Sequence, residues 1–183
     1  MRTDAHGSRV LQGSQPPEIL FIERCVQLLK PGTGRMAIVV PNGILNNPAL
    51  GYVRQWILEN VQVVAVVDMA RELFQPKNDT QTSMVLMRRL DNGERAKAKA
   101  GELDYETFMA FTEKVGKDRR GNPLYRRNEY GEEIVAIRRE IVSAVDAKTG
   151  EVTTKEIELK ELLIDDELHE AADAYLDWVR GER

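Results

Sequence analysis

Two apolar runs, Met36-Ala-Ile-Val-Val40 and Val61-Gln-Val-Val-Ala-Val-Val67, constrain the fold of this chain more than any other feature. Neither alternates as a strand with one wet face would, and their β-branched content favours a sheet covered on both faces. A third run, Thr82–Met87, follows a loop through residues 71–79. Before the first run, Pro16-Pro17 leads into the dense apolar helix 18–29, expected to be buried on most sides, which Lys30-Pro31-Gly32 stops. Between the first two runs a helix is expected over 48–59, with Asn47 as cap, Pro48 as first residue and Leu50, Val53, Trp56 and Ile57 on its apolar side. Helix, strand, helix, strand, strand describes half of a doubly wound α/β sheet whose last pair is free to be antiparallel.

Around this half-sheet the chain reads as three parts: a flexible lead-in over 1–16, the sheet-forming part over 17–90, and an appendage over 91–183. The appendage comprises a charged connector (91–101), a short amphipathic helix over 104–115 with Gly116 as its C-cap, and a basic hairpin. A terminal helix over 167–180 carries Leu168, Ala172, Tyr175 and Val179 at helical spacing. Residues 132–160 show no clear period, and no internal repeat is visible.

Charge is divided unevenly. Residues 129–183 carry 16 acidic and 7 basic side chains, a balance of −9. The rest of the chain carries 14 acidic and 19 basic side chains, a balance of +5 within a net charge of −4. A local basic surface can neutralise phosphates even when net charge is negative. The basic hairpin holds Lys117, Arg119, Arg120, Arg126 and Arg127 with Tyr125 among them, a composition suited either to a DNA backbone or to a solvated turn. The acidic tail is a competing partner for it. No apolar stretch is long enough to cross a bilayer and no secretory leader is apparent, so a soluble cytoplasmic protein without membrane contact is expected.

Candidate ligand residues gather where open α/β sheets place their binding loops, at the carboxyl ends of strands. Pro41, Asn42, Gly43, Asn46 and Asn47 follow the first run, and Asp68 ends the second. The amides could address a base edge, or Asn42-Gly43 could make a turn and Asn47 a helix cap. Phe74 lies in the next loop and suits either stacking or anchoring. Pro31-Gly-Thr-Gly-Arg35 lacks the lysine and hydroxyl of a phosphate loop and precedes its strand, so a helix-to-strand turn is expected. The single cysteine, Cys25, is expected to be a buried thiol. The two histidines, His6 and His169, have no ligand spacing, so no metal site is expected.

Several segments together resemble the N-6 adenine DNA methylase family, which includes the modification subunit of type I restriction systems. They are Pro17–Gly32, Gly34–Asn47, Tyr52–Asn60, the strand at Val61, Phe74-Gln-Pro76, Thr80–Leu86 and Val115–Tyr125. The resemblance implies a partial Rossmann-like, S-adenosylmethionine-dependent methyltransferase sheet with a small C-terminal α/β appendage. Its strands would be the fifth, sixth and seventh of seven. It implies methyl transfer to the exocyclic nitrogen of an adenine flipped from the duplex, with Pro41–Asn47 on the target-base side of the cleft. The family's glycine-rich cofactor loop and Asn-Pro-Pro-Phe/Tyr catalytic segment lie upstream of the matched part, and neither occurs in this sequence. No catalytic or cofactor-binding residue is therefore carried over.

The expectation is a component or fragment of such an enzyme, inactive alone, with DNA, an upstream-encoded methyltransferase half or a specificity subunit as partners. S-adenosylmethionine is the family's cofactor but is not expected to bind this chain alone. A noncatalytic DNA-binding or assembly module and an inert remnant that dimerises over an open sheet edge are the alternatives.

Overall fold

The computed structural model describes residues 2–3, 9–10, 14–145 and 152–181. In the lead-in, strands β1 (Arg2–Thr3) and β2 (Arg9–Val10) form a short antiparallel pair, and His6 lies outside the described residues. Helix α1 (Pro17–Leu28) then precedes strand β3 (Arg35–Pro41), short helix α2 (Asn42–Asn46) and a 3-10 turn at Pro48–Leu50. Helix α3 (Gly51–Asn60) leads into strand β4 (Val61–Asp68). A second 3-10 turn (Arg71–Phe74) precedes strand β5 (Thr82–Arg89).

The sheet is mixed, and its order is not its sequence order. Strand β5 inserts between β3 and β4 and is antiparallel to both, so β3 and β4 point the same way without touching. A fourth strand, β6 (Phe108–Phe111), adds outside β4 and parallel to it. On one face, Ile19, Ile22 and Val26 of α1 and Val53 and Ile57 of α3 pack with Val40, Val61, Val85 and Met87 of the strands. Each fully buried aliphatic side chain of this kind contributes roughly 1.5–3 kcal/mol.

Coverage of the sheet is less complete than its apolar strands imply. Strand β3 is an edge strand rather than one covered on both faces, with Ala37 and Val39 exposed on its second face. Helix α1 likewise has one buried stripe rather than burial on most sides, leaving Leu20, Phe21 and Leu28 in solvent. Cys25 is half-buried. The terminal helix, α5 (Leu168–Arg180), lies on the second face farther across, where Tyr175 and Trp178 pack around Phe108 at ring-centroid distances of 5.5 and 5.8 Å.

Two assignments in the appendage are corrected. The charged stretch 91–101 contains helix α4 (Asn92–Ala100), not only a connector. Its start is a capping box, in which Asp91 Oδ1 accepts from Glu94 N at 2.8 Å and Glu94 Oε2 accepts from Asp91 N at 2.9 Å. Segment 104–115 is no helix. It holds β6, because pairing Phe108–Phe111 along β4 outweighs the weak helical spacing of Tyr105, Phe108, Met109 and Val115. Gly116 therefore ends no helix. Its φ of +73° belongs to a turn, and a Cβ there would lie 2.2 Å from Ile164 Cγ2.

The unassigned stretch after 132 forms a long hairpin of β7 (Val135–Val145) and β8 (Val152–Leu162), antiparallel from Val135 opposite Leu162 to Val145 opposite Val152. Its tip, 146–151, lies outside the described residues.

Arg88 ties four pieces of the sheet together. Its guanidinium meets Glu94 in a forked pair, with NH2 2.6 Å from Oε1 and NH1 3.1 Å from Oε2. It also donates to Gln62 Oε1 at 2.8 Å and to the Gly32 carbonyl at 2.9 Å. Hydrogen bonding from Arg88, and then from the Asp91 backbone, holds the Glu94 carboxyl below its ordinary 4.5. A depressed folded-state value means that this stabilisation is complete above about pH 4.5 and fades as pH falls through the folded value. Glu94→Gln should therefore be less stable than the parent at pH 7, and the difference should shrink as acid is added. Urea unfolding midpoints between pH 7 and 3 measure it.

Candidate functional site

The parallel strands β3 and β4 end together, and their carboxyl ends are joined by side chains. Asn42, just past β3, donates from Nδ2 to Asp68 Oδ1 at 2.8 Å. Ser83, at the start of β5 and opposite both Val40 and Asp68 in the ladders, places Oγ 2.8 Å from Asn42 Oδ1 and 3.1 Å from Asp68 Oδ1. Its one hydroxyl proton suits the nearer Asn42 oxygen. Gln81 Nε2 donates to Asp68 Oδ2 at 3.3 Å, and the Asn42 backbone N–H donates to the Gln81 carbonyl at 3.0 Å. Ser83 is buried, whereas Asn42, Asp68 and Gln81 are half-buried, so the cluster has one dry side and one side open to solvent.

The fold brings some of the sequence candidates together and disperses others. Asn42 and Asp68 meet, and Pro41 is half-buried beside them at the end of β3. Asn42-Gly43 begins α2 rather than forming a simple turn. Gly43 and Asn46 are exposed. Asn47 caps the turn that opens α3, its Oδ1 accepting from Ala49 N at 2.9 Å. Phe74 lies on its 3-10 turn, 41% exposed.

Gln81 and Ser83 belong to the cluster without standing out in the sequence. Their signal was the polar run Thr80–Ser83 directly ahead of an apolar strand. Phe111 was obscured by the helical reading of its segment. It pairs with Asp68 in the β4–β6 ladder and is 62% exposed, which sets an aromatic ring on the same sheet face as the carboxylate.

The basic candidates are largely engaged within the chain. Arg119 Nε lies 3.2 Å from Glu72 Oε1, and Lys117 donates to the Gln75 carbonyl at 3.2 Å. Arg126 pairs with Glu170 and donates to the Asp166 carbonyl, and Arg127 lies 3.9 Å from Glu133. Glu170 and Glu133 come from the acidic tail, which thus meets the basic segment within one chain. The side chain of Arg120 is exposed, and Tyr125 is half-buried where its backbone bridges Ile164.

Asn122-Pro-Leu-Tyr125 has the outline of an Asn-Pro-x-aromatic segment but not its setting. The Asn122 amide donates to Asp118 Oδ2 at 2.9 Å within a turn that follows no strand of the sheet directly. Asp118 is held below its usual range by the side chain of Asn122 and then by its backbone N–H.

The glycine segment is a turn, as expected: Gly32 N donates to the Arg89 carbonyl and Gly34 N to the Lys30 carbonyl. Neither main cleft among the described residues sits at the carboxyl ends of β3 and β4. The larger, about 460 Å³, lies between the sheet and α5, at Arg35, Ala37, Gln62, Leu86, Arg88 and Tyr175, near the amino ends of those strands. Its lining holds no carboxylate. The other, about 390 Å³, lies beside α1, α3 and α4. Among the described residues there is no group of three or more metal-ligand side chains, and no helix long and apolar enough to cross a membrane.

A family profile described as N-6 DNA Methylase matches residues 3–170. The chain belongs to that family. Solved structures provide further likenesses. One chain, from a study of complex assembly and conformational transition in the type I R-M system, is 31% identical over 42% of this chain and 16% of its own length, with a TM-score of 0.38. A modification subunit assigned to a type I restriction enzyme of Vibrio vulnificus is 26% identical over 39% of this chain and 16% of its own, with a TM-score of 0.36. A protein assigned as a class I S-adenosylmethionine-dependent methyltransferase of Listeria monocytogenes is 19% identical over 51% of this chain and 26% of its own, with a TM-score of 0.39. No curated protein matches the chain significantly. This N-6 DNA methylase chain thus spans a small part of the length of the solved proteins it resembles.

S-adenosylmethionine is the cofactor that this family implies. Neither the carboxyl-end cluster nor the larger cleft fits it: the cluster's one carboxylate, Asp68, lines neither main cleft, the larger cleft has no carboxylate to receive a ribose diol, and the carboxylates of the second cleft, Glu23 and Glu59, lie on α1 and α3 rather than at a strand's carboxyl end. If the cluster locks the strand ends together, Asn42→Ala and Ser83→Ala should be non-additive. A double-mutant cycle by urea denaturation is expected to give a coupling above about 0.5 kcal/mol, and additive effects would contradict the lock.

Proposed function

We propose that this chain is a component of an adenine-N6 DNA methyltransferase of a restriction–modification system, contributing the target-base side of the cleft and inactive alone. The observation that carries this reading is the family match across residues 3–170. The joined ends of β3 and β4 provide its chemistry. Asp68 retains acceptor capacity for an exocyclic amine, and Asn42 retains a second amide hydrogen for a ring nitrogen. Phe111 offers a face on which a flipped base can stack.

The same reading assigns the cofactor seat to residues outside this sequence. A methyltransferase half bearing the glycine-rich loop and the Asn-Pro-Pro-Phe/Tyr segment would pair along β3, whose outer edge no described strand covers and whose Ala37 and Val39 are exposed. DNA, that upstream half and a specificity subunit are the partners in this account. A noncatalytic DNA-binding module is the weaker reading, because Lys117, Arg119, Arg126 and Arg127 already have partners inside the chain.

Calorimetric titration of S-adenosylmethionine tests the division of labour. The 183-residue chain alone should give no saturable heat, and a complex with the upstream half should bind. Saturable binding to the chain alone would overturn the account of where the cofactor sits.

A further inference from the structure

The β7–β8 hairpin is out of keeping with the rest of the fold. Its two strands pair extensively with each other, yet among the described residues no other helix or strand makes a substantial contact with either. An isolated two-stranded hairpin is marginal in water, and each of its edges is a row of unpaired backbone groups. Val135, Ile137, Ile141 and Val152 are all exposed on it.

The charges on β8 are placed oddly for a free hairpin. Lys155, Glu156, Lys160 and Glu161 face Val142, Ile141, Ile137 and Ala136 across the ladder, so none of them meets an opposite charge there. Only Glu158 does, with Arg139 Nε 3.2 Å from its Oε1.

Those four charges match each other when β8 meets a second β8 antiparallel. A two-fold axis through Glu158 sets Glu156 opposite Lys160 and Lys155 opposite Glu161, each twice, and puts Ile157 opposite Leu159. The one like-charge pair, Glu158 with its copy, is offset by the Arg139 that each Glu158 already holds. Neighbouring registers that keep the outward backbone groups in phase are worse. A shift of the axis to Ile157 opposes Glu156 to Glu158, and a shift to Leu159 keeps only Glu158 opposite Lys160 while leaving Glu156 opposite Leu162 and Ile157 opposite Glu161. The edge of β7 offers fewer charge pairs: an axis at Arg139 sets Arg138 opposite Glu140 twice, but those two already pair within their own strand at 3.0 Å, and no second set of charges meets.

We propose that β8 is a homodimerisation strand, joining two copies of this chain into a four-stranded β7–β8–β8–β7 sheet in the register centred on Glu158. This surface is independent of the target-base cleft, and its test does not depend on methyl transfer.

Sedimentation equilibrium of the 183-residue chain should show a dimer. Glu156→Lys should weaken it at least tenfold by setting lysine against Lys160 twice, Lys160→Glu should do the same, and the double exchange should restore the dimer. Circular dichroism should show all three variants folded. As an independent register test, Glu158→Cys in a Cys25→Ser background should join two chains through a short bismaleimide linker far more efficiently than Leu162→Cys. A monomeric chain, a dimer indifferent to the charge reversals, or equal cross-linking at both positions would overturn the proposal.

Discussion

The fold depends on the antiparallel insertion of β5 between two strands that run in parallel. Its backbone joins β3 on one side and β4 on the other, and its first residues bring Ser83 to the place where both parallel strands end. Its last residues bring Arg88 against Gln62, Gly32 and Glu94, so the opposite end of the sheet is fastened to the α1–β3 turn and to α4. Removing that strand would separate β3 from β4 and dissolve the Asn42–Asp68–Ser83 cluster with it. Local chemistry at the candidate site is thus a consequence of strand order.

The same arrangement explains why the apolar pattern of β3 promises more than the chain delivers. Met36, Ile38 and Val40 face α1 and α3, but Ala37 and Val39 face a side that α5 does not fully cover. On the other face, Phe21 and Leu28 of α1 are exposed as well. An apolar edge that is open on its backbone and its second face is a poor surface for water and a good one for another strand.

Much of this was legible in the residues. The β-branched runs announced β3, β4 and β5, and their order and the family resemblance led to the sheet type. Asn42 and Asp68 are legible as a pair because both stand at strand ends, although their direct hydrogen bond and the place of Ser83 beside it are not, since β5's insertion is a matter of topology. β6 is not legible in the sequence because four residues carry too little pattern for their period to be decisive, and its strand conformation comes from pairing with β4. α4 was missed although its signals were local: Asp91 and Glu94 at capping-box spacing and Gly101 at φ +75°. In β7 the charges Arg138-Arg139-Glu140 interrupt the alternation by which strands are recognised, whereas Glu156–Lys160 of β8 does alternate charged and apolar residues and is a strand signal legible in the sequence.

Hydrogen exchange along β3 tests the central claim, that this chain is one side of a sheet completed from elsewhere. In the isolated chain the outward-facing amides between Met36 and Val40 should exchange quickly, while those bonded to β5 are protected. Adding a methyltransferase half that carries the glycine-rich loop and the Asn-Pro-Pro-Phe/Tyr segment should slow the outward set and leave β6 unchanged. Outward β3 amides already protected in the isolated chain, or unaffected by that half, would contradict the account.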